Sequence, residues 1–299
     1  MNKTKSILGG IALSAAAALT LSGCAGGTGG AGGAGGSDAK SIEIAVFNGW
    51  DEGIAASYLW QSILEEKGYD VKLTFADVAP VYQGLARGDF DLVLDTWLPT
   101  THADYMERYG DKVDDLGAWN DDARLTVAVN ADAPIDSLDQ LAAASDQFGG
   151  RIVGIEPGSG LMRITGDDVV PGYGLEGMEL VESSTPAMLA ELKKATDARQ
   201  NIAVTLWRPH WAYNAFPVKD LADPKGLLGD AESIHSVAAS SFAKDHPEVH
   251  GWISNFTMPT DTLASLENAM FNEYSGDDYA PVIKKWIAEN QEWVDSLTS

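Results

Sequence analysis

Two apolar, strand-like runs in this chain end alike. DTWLPTTH (residues 95–102) and TLWRPHW (205–211) each reach a tryptophan, with a proline two residues later. A third run, SIEIAVFNGW (41–50), reaches a tryptophan at a turn before a helix-like segment. Indole is costly to expose, yet a strand end normally lies near the surface. In open parallel sheets, ligands collect beyond the carboxyl ends of the strands, which is where Trp50, Trp97 and Trp207 fall. Three indoles converging there would form a box with electron-rich faces. Such a box suits a quaternary ammonium, which donates no hydrogen bond and is held by cation–π attraction and methyl contacts. Each face contributes about 0.5–2 kcal/mol when desolvated. Taken singly, any one of these residues reads more readily as a core tryptophan capping its strand.

A second element is EPGSGLMRIT (156–165), in which Gly158 and Gly160 open a helix after a strand. Such a turn presents backbone N–H groups at the positive end of the helix dipole, an anion seat that needs no basic side chain. The amides of Gly160 and Leu161 are placed to grip a carboxylate. His102, close to Trp97 in PTTH, either donates a ring N–H to the same carboxylate or satisfies backbone at a helix start. A glycine turn alone is a weak signal. Box and seat together match a small zwitterion carrying a methylated ammonium and a carboxylate.

These residues need strands and helices to carry them. Residues 41–50 read as a buried strand, and DEGIAASYLWQSILEEKGY as a helix with Ile54, Tyr58, Leu59 and Ile63 on one stripe, closed by Gly68. DVKLTF, APVYQGLARGDF and DLVLDTW continue the alternation as strand, short helix and strand, which implies a parallel sheet. The second half repeats the pattern from GGRIVGIEPGSGLMRIT to NIAVTLW. GYDVKLTF aligns with GMELVES, AP-VYQGLA with TP-AMLAEL, and TWLP with LWRP. Two similar α/β lobes are expected, one discontinuous (41–128 plus 232–299) and one inserted (129–231). The stretch 125–143 reads as a strand crossing out of the first lobe into a helix that opens the second. ESIHSVAASSF reads as the strand that returns.

The first 23 residues have a short basic start, an apolar stretch and then LSGC, the layout of an export signal. LSGC resembles a bacterial lipobox, with Cys24 the lipidated first residue of the mature chain. Cys24 is the only cysteine, so no intramolecular disulfide is possible. A glycine-rich tether follows, through residue 40, too poor in apolar side chains to pack a core. No later segment is long and apolar enough to span a bilayer. The predicted location is the extracytoplasmic membrane face, at the cell surface or in the periplasm. A formal net charge of −24 argues against a nucleic-acid partner and otherwise serves solubility.

Other signals carry less. GYGLEG (172–177) spells GxGxxG but precedes a strand, so it reads as a turn. HPEVH (246–250) spaces two histidines four apart with no third metal ligand evident, and reads as a surface helix. Trp60, Trp119, Trp252, Trp286 and Trp293 fit packing positions, and Trp211 buttresses Trp207 from behind. Asp51/Glu52 and Asp121/Asp122 are adjacent pairs that do not face one another, so they read as solvated or capping. Hydrolysis of a choline ester would have to rest on Ser159 with His102 or His210, a thin basis for catalysis.

NGWDEGIA, DTWLPTTH, GIEPGSGLM and LWRPHW, with AESIH further on, resemble the substrate-binding proteins of compatible-solute ABC importers, the glycine betaine and proline betaine type. The blocks span nearly the whole mature chain. The resemblance implies an α/β, two-lobe periplasmic-binding-protein fold of type II, each lobe a mainly parallel sheet flanked by helices. It implies a tryptophan prism on Trp50, Trp97 and Trp207, and carboxylate contacts from the amides of Gly160 and Leu161 and from His102. It further implies a monomer without cofactor, metal or catalysis, serving a membrane permease driven by an ATPase. Choline, carnitine and dimethylsulfoniopropionate are alternative ligands, and choline would leave the carboxylate seat unused.

Overall fold

The computed structural model describes residues 40–299; Cys24 and the signal sequence lie outside the described residues. β1 (Ser41–Phe47) is buried on both faces, as befits a strand that is a near-continuous apolar run. It pairs in parallel with β2 (Asp70–Ala76) and β3 (Leu92–Leu98). The connecting helices are α1 (Asp51–Glu66) and α2 (Val78–Leu85). The second half contains β5 (Arg151–Val153), β6 (Glu179–Val181) and β7 (Ala203–Arg208), again mutually parallel.

Between the halves runs β4 (Val113–Asn130), 18 residues long. It pairs antiparallel with β9 (Glu232–Ala239) as far as Ala123, then with β7 from Arg124 onward. The order is β2-β1-β3-β9-β4-β7-β5-β6, with β8 (Val218–Asp220) on β4. The parallel β-α units thus lie at the two ends of the sheet, and antiparallel strands join them. ESIHSVAA is the returning strand, as expected.

One expected helix is absent. After Asn130 the stretch to residue 143 forms only a 3₁₀ turn at Leu138–Gln140. Leu138, Leu141 and Ala144 are all buried. Their spacing of three matches the 3.0-residue repeat of a 3₁₀ turn rather than the 3.6 of an α-helix. GYGLEG is only partly a turn: Gly172 and Tyr173 end a helix (Val170–Tyr173), and the chain turns before β6 at Gly174, left-handed at φ +67°. The helix Pro247–Ser254 starts at Pro247 as expected, but His246 is buried at its start instead of lying on the surface. No group of three metal-ligating side chains occurs among the described residues. None of their helices is long and apolar enough to cross a membrane.

Candidate functional site

Trp50 ends the turn after β1, Trp97 lies near the end of β3, and Trp207 near the end of β7. The prolines that follow the last two are both in cis, at Leu98–Pro99 and Arg208–Pro209. All three tryptophans are buried, and all three line one cavity together with His102, Gly160 and Leu161. The six residues singled out by type and spacing therefore share one space, drawn from both halves of the sheet.

Each indole is fixed by its edge. Trp97 donates its ring N–H to Asp95 Oδ1 at 2.9 Å, Trp207 to Glu52 Oε2 at 2.9 Å and Trp50 to Glu156 Oε2 at 3.4 Å. The last two bonds cross between the halves. Glu156 is itself held by the Thr185 amide (2.7 Å) and hydroxyl (2.9 Å). A carboxyl oxygen at the ring N–H orients the indole plane. Trp211 does not buttress Trp207 directly. His210 packs edge-on against Trp207, with ring centroids 4.7 Å apart, and Trp211 donates to Asp51 Oδ2 at 2.5 Å.

His102 fills the backbone role and keeps a second ring nitrogen free. Its Nδ1 accepts the backbone N–H of Trp97 at 2.8 Å, which places the proton on Nε2. Nε2 is buried with no partner among the described residues, and the residue lines the cavity. Burial, and secondarily the charge of Arg163, push its pKa down to about 3. His102 is thus a neutral donor, stacked on Trp50 at 5.5 Å with the planes 12° apart.

Ser159 caps the helical run 160–173, its hydroxyl accepting the Met162 amide. The first amides of a helix, here those of Gly160 and Leu161, have no intrahelical acceptor. Gly158 takes φ +89°, a conformation that favours glycine. Gly160 needs to be glycine for space: a Cβ there would lie 2.2 Å from the Thr101 carbonyl oxygen. The loop bearing Thr101 is braced by Glu232, whose Oε1 accepts the amides of Thr100 (2.7 Å) and Thr101 (2.8 Å). The Thr101 hydroxyl donates to Glu232 Oε2.

Asp51 and Glu52 are neither solvated nor idle. Both are buried at the start of α1, because Trp211 and Trp207 cover them from the other half. Burial raises Asp51 to about 7 and Glu52 to about 8. Asp95 and Glu267 are also buried and rise well above the carboxylate range, burial again leading and the charge of Glu52 adding. The signal in the sequence was the acidic pair directly after Trp50; its partners lie 155 and 160 residues away.

These shifts set a sign for stability. Above about pH 6.5, where His102 and His210 are neutral whether folded or not, the folded protein keeps carboxyl protons that the unfolded chain has lost, so stability falls as pH rises toward 8. Each retained proton costs up to about 1.4 kcal/mol per pH unit across that window. Thermal unfolding from pH 6.5 to 8 is expected to show a falling midpoint, and Glu52→Gln a shallower fall. A midpoint that rises through this range would refute the buried protons.

A family model for the substrate-binding domain of ABC-type glycine betaine transport systems matches residues 40–289. The glycine betaine/carnitine transport binding protein of Listeria monocytogenes is 33% identical over 171 residues, a match spanning 55% of this chain. The same match covers about half, 55%, of that relative's own length. Lactococcal OpuAC, crystallised in its closed form with glycine betaine, is similar with a TM-score of 0.80 and 31% identity. That alignment covers 87% of this chain and 100% of the other. A choline-binding protein of an ABC transporter, crystallised with choline, has a TM-score of 0.79 and 25% identity over 87% of this chain and 91% of its own.

Proposed function

Since this chain belongs to the family of substrate-binding domains of ABC-type glycine betaine transport systems, we propose that it captures glycine betaine, or a close zwitterionic relative, outside the cytoplasm for an importing permease. The observation that carries this reading is one cavity combining three indoles with a helix N-terminus and a neutral histidine N–H. The indoles receive the methylated cation, and the Gly160 and Leu161 amides with His102 Nε2–H receive the carboxylate. No bond is made or broken. Choline would use the indoles and leave three donors facing the cavity unpaired, at a cost of about 1–3 kcal/mol for each one left without water or ligand. Calorimetric titration is expected to give tight binding of glycine betaine and much weaker binding of choline. Equal affinities would remove the carboxylate seat from the site.

The lobes are assigned to 41–128 with 232–299 and to 129–231. The change of partner along β4 and the return into β9 support crossings near those limits. Closure would bring Trp207 and Gly160 of one lobe against Trp50, Trp97 and His102 of the other. Ligand binding then shifts an open–closed equilibrium, and the permease reads the closed shape. The protein acts as a monomer, tethered to the membrane by a lipid on Cys24. Cys24→Ala is expected to move it from the membrane fraction to the soluble one; lipid labelling that persists in this variant would rule out the anchor.

A further inference from the structure

Glu52 is the one carboxyl group on the cavity wall. It is 1% exposed, and its Oε2 takes the Trp207 indole N–H at 2.9 Å. The groups around it are acidic or neutral. On α1, Asp51 adds its charge to Glu52; from β3, Asp95 lies against it. From the helix Thr260–Glu267 comes Glu267, whose two carboxyl oxygens are buried without a partner. Glu156 and Tyr279 face Asp51. His210, beyond β7, accepts the Ala212 amide on Nδ1, so its proton sits on Nε2, 3.7 Å from Asp51 and without a hydrogen-bond partner.

Resting on the betaine reading, we propose that Glu52 is a specificity-determining residue that exchanges its proton for the fixed positive charge of the ligand. In the closed form, where Trp207 covers Glu52 from the other half, and with no cation beside it, the protonated form is favoured, since burial raises the group to about 8. A trimethylammonium beside it in low dielectric favours the carboxylate. The Glu52 O–H bond breaks, its electron pair stays on oxygen, and the proton passes to solvent. Nothing is oxidised. The protein then selects for charge as well as shape, because an uncharged tert-butyl group fills the same space without displacing the proton. Capture of the cation is penalised below the pKa of the free group, so affinity rises with pH by at most about tenfold per unit and levels off above it.

The test is calorimetry on the full protein from pH 6 to 9, in buffers of differing ionisation enthalpy. The two ligands are glycine betaine and its uncharged-head analogue 3,3-dimethylbutanoate. Glycine betaine is expected to release up to one proton at pH 7 and, for a group at about 8 in the closed form, to bind up to about 50-fold more tightly at pH 8 than at pH 6. The analogue is expected to bind at least tenfold more weakly at pH 8, or not at all, and to release none. Glu52→Gln should bind betaine without proton release and with a flat pH profile. Asp51→Asn, which keeps an acceptor for Trp211 but removes a neighbouring charge, should move the midpoint of the profile to lower pH. Betaine bound with equal heat in all buffers and constant affinity would overturn the proton exchange and leave the betaine reading intact. No betaine binding at any pH would overturn both.

Discussion

Trp207→Ala is expected to weaken glycine betaine binding by at least ~30-fold, the equivalent of about 2 kcal/mol for one desolvated cation–π face. Trp207 is the indole supplied to the cavity by the second half of the sheet, so its loss opens a wall that no neighbour can close. It also strips Glu52 Oε2 of the Trp207 indole N–H at 2.9 Å, leaving a buried carboxyl group less satisfied. Trp293 lies outside the cavity, packed edge-on to Trp286, and Trp293→Ala is expected to leave affinity unchanged. Calorimetric titration of the two variants separates a binding role from general packing. Equal losses, or a loss below threefold at Trp207, would return that tryptophan to the core.

Gly160→Ala is expected to abolish tight binding by a different route. The added Cβ would meet the Thr101 carbonyl oxygen at 2.2 Å and its Cγ2 at 2.7 Å. Thr101 cannot easily retreat, because Glu232 holds its amide, its hydroxyl and the amide of Thr100. Overpacking of this kind costs about 1–3 kcal/mol, or roughly 5–150-fold in affinity if it falls wholly on the closed form. The clash joins the two halves, so an open, ligand-free molecule would escape it. Thermal unfolding should therefore show a near-normal midpoint without ligand and little rise on adding betaine. Wild-type affinity in this variant would mean that Gly160 and Thr101 separate in the bound state.

The residues that line the cavity were largely legible in the sequence because they lie in short local segments. A tryptophan at a strand end, a glycine pair opening a helix and a histidine five residues after Trp97 each declare themselves within one short segment. The supporting carboxylates do not. Glu52 and Asp51 are adjacent, and adjacency argued correctly that they do not face each other. It could not reveal that Trp207 and Trp211 arrive from the other half to cover them both. Glu232 was visible only as part of AESIH, and its work on Thr100 and Thr101 spans more than 130 residues. In the fold, β-α alternation identified the parallel ends of the sheet. The crossing after β4 was misjudged because Leu138, Leu141 and Ala144 fit a three-residue repeat that a short window does not separate from a helical stripe.

The most direct measurement is a crystal structure of the protein with glycine betaine. The trimethylammonium is expected within about 6 Å of the ring centroids of Trp50, Trp97 and Trp207. The carboxylate is expected at hydrogen-bond distance, about 2.7–3.2 Å, from the amides of Gly160 and Leu161 and from His102 Nε2. A ligand bound elsewhere, or bound in this cavity with its carboxylate turned away from Gly160, would show that the indoles and the helix N-terminus do not form one site.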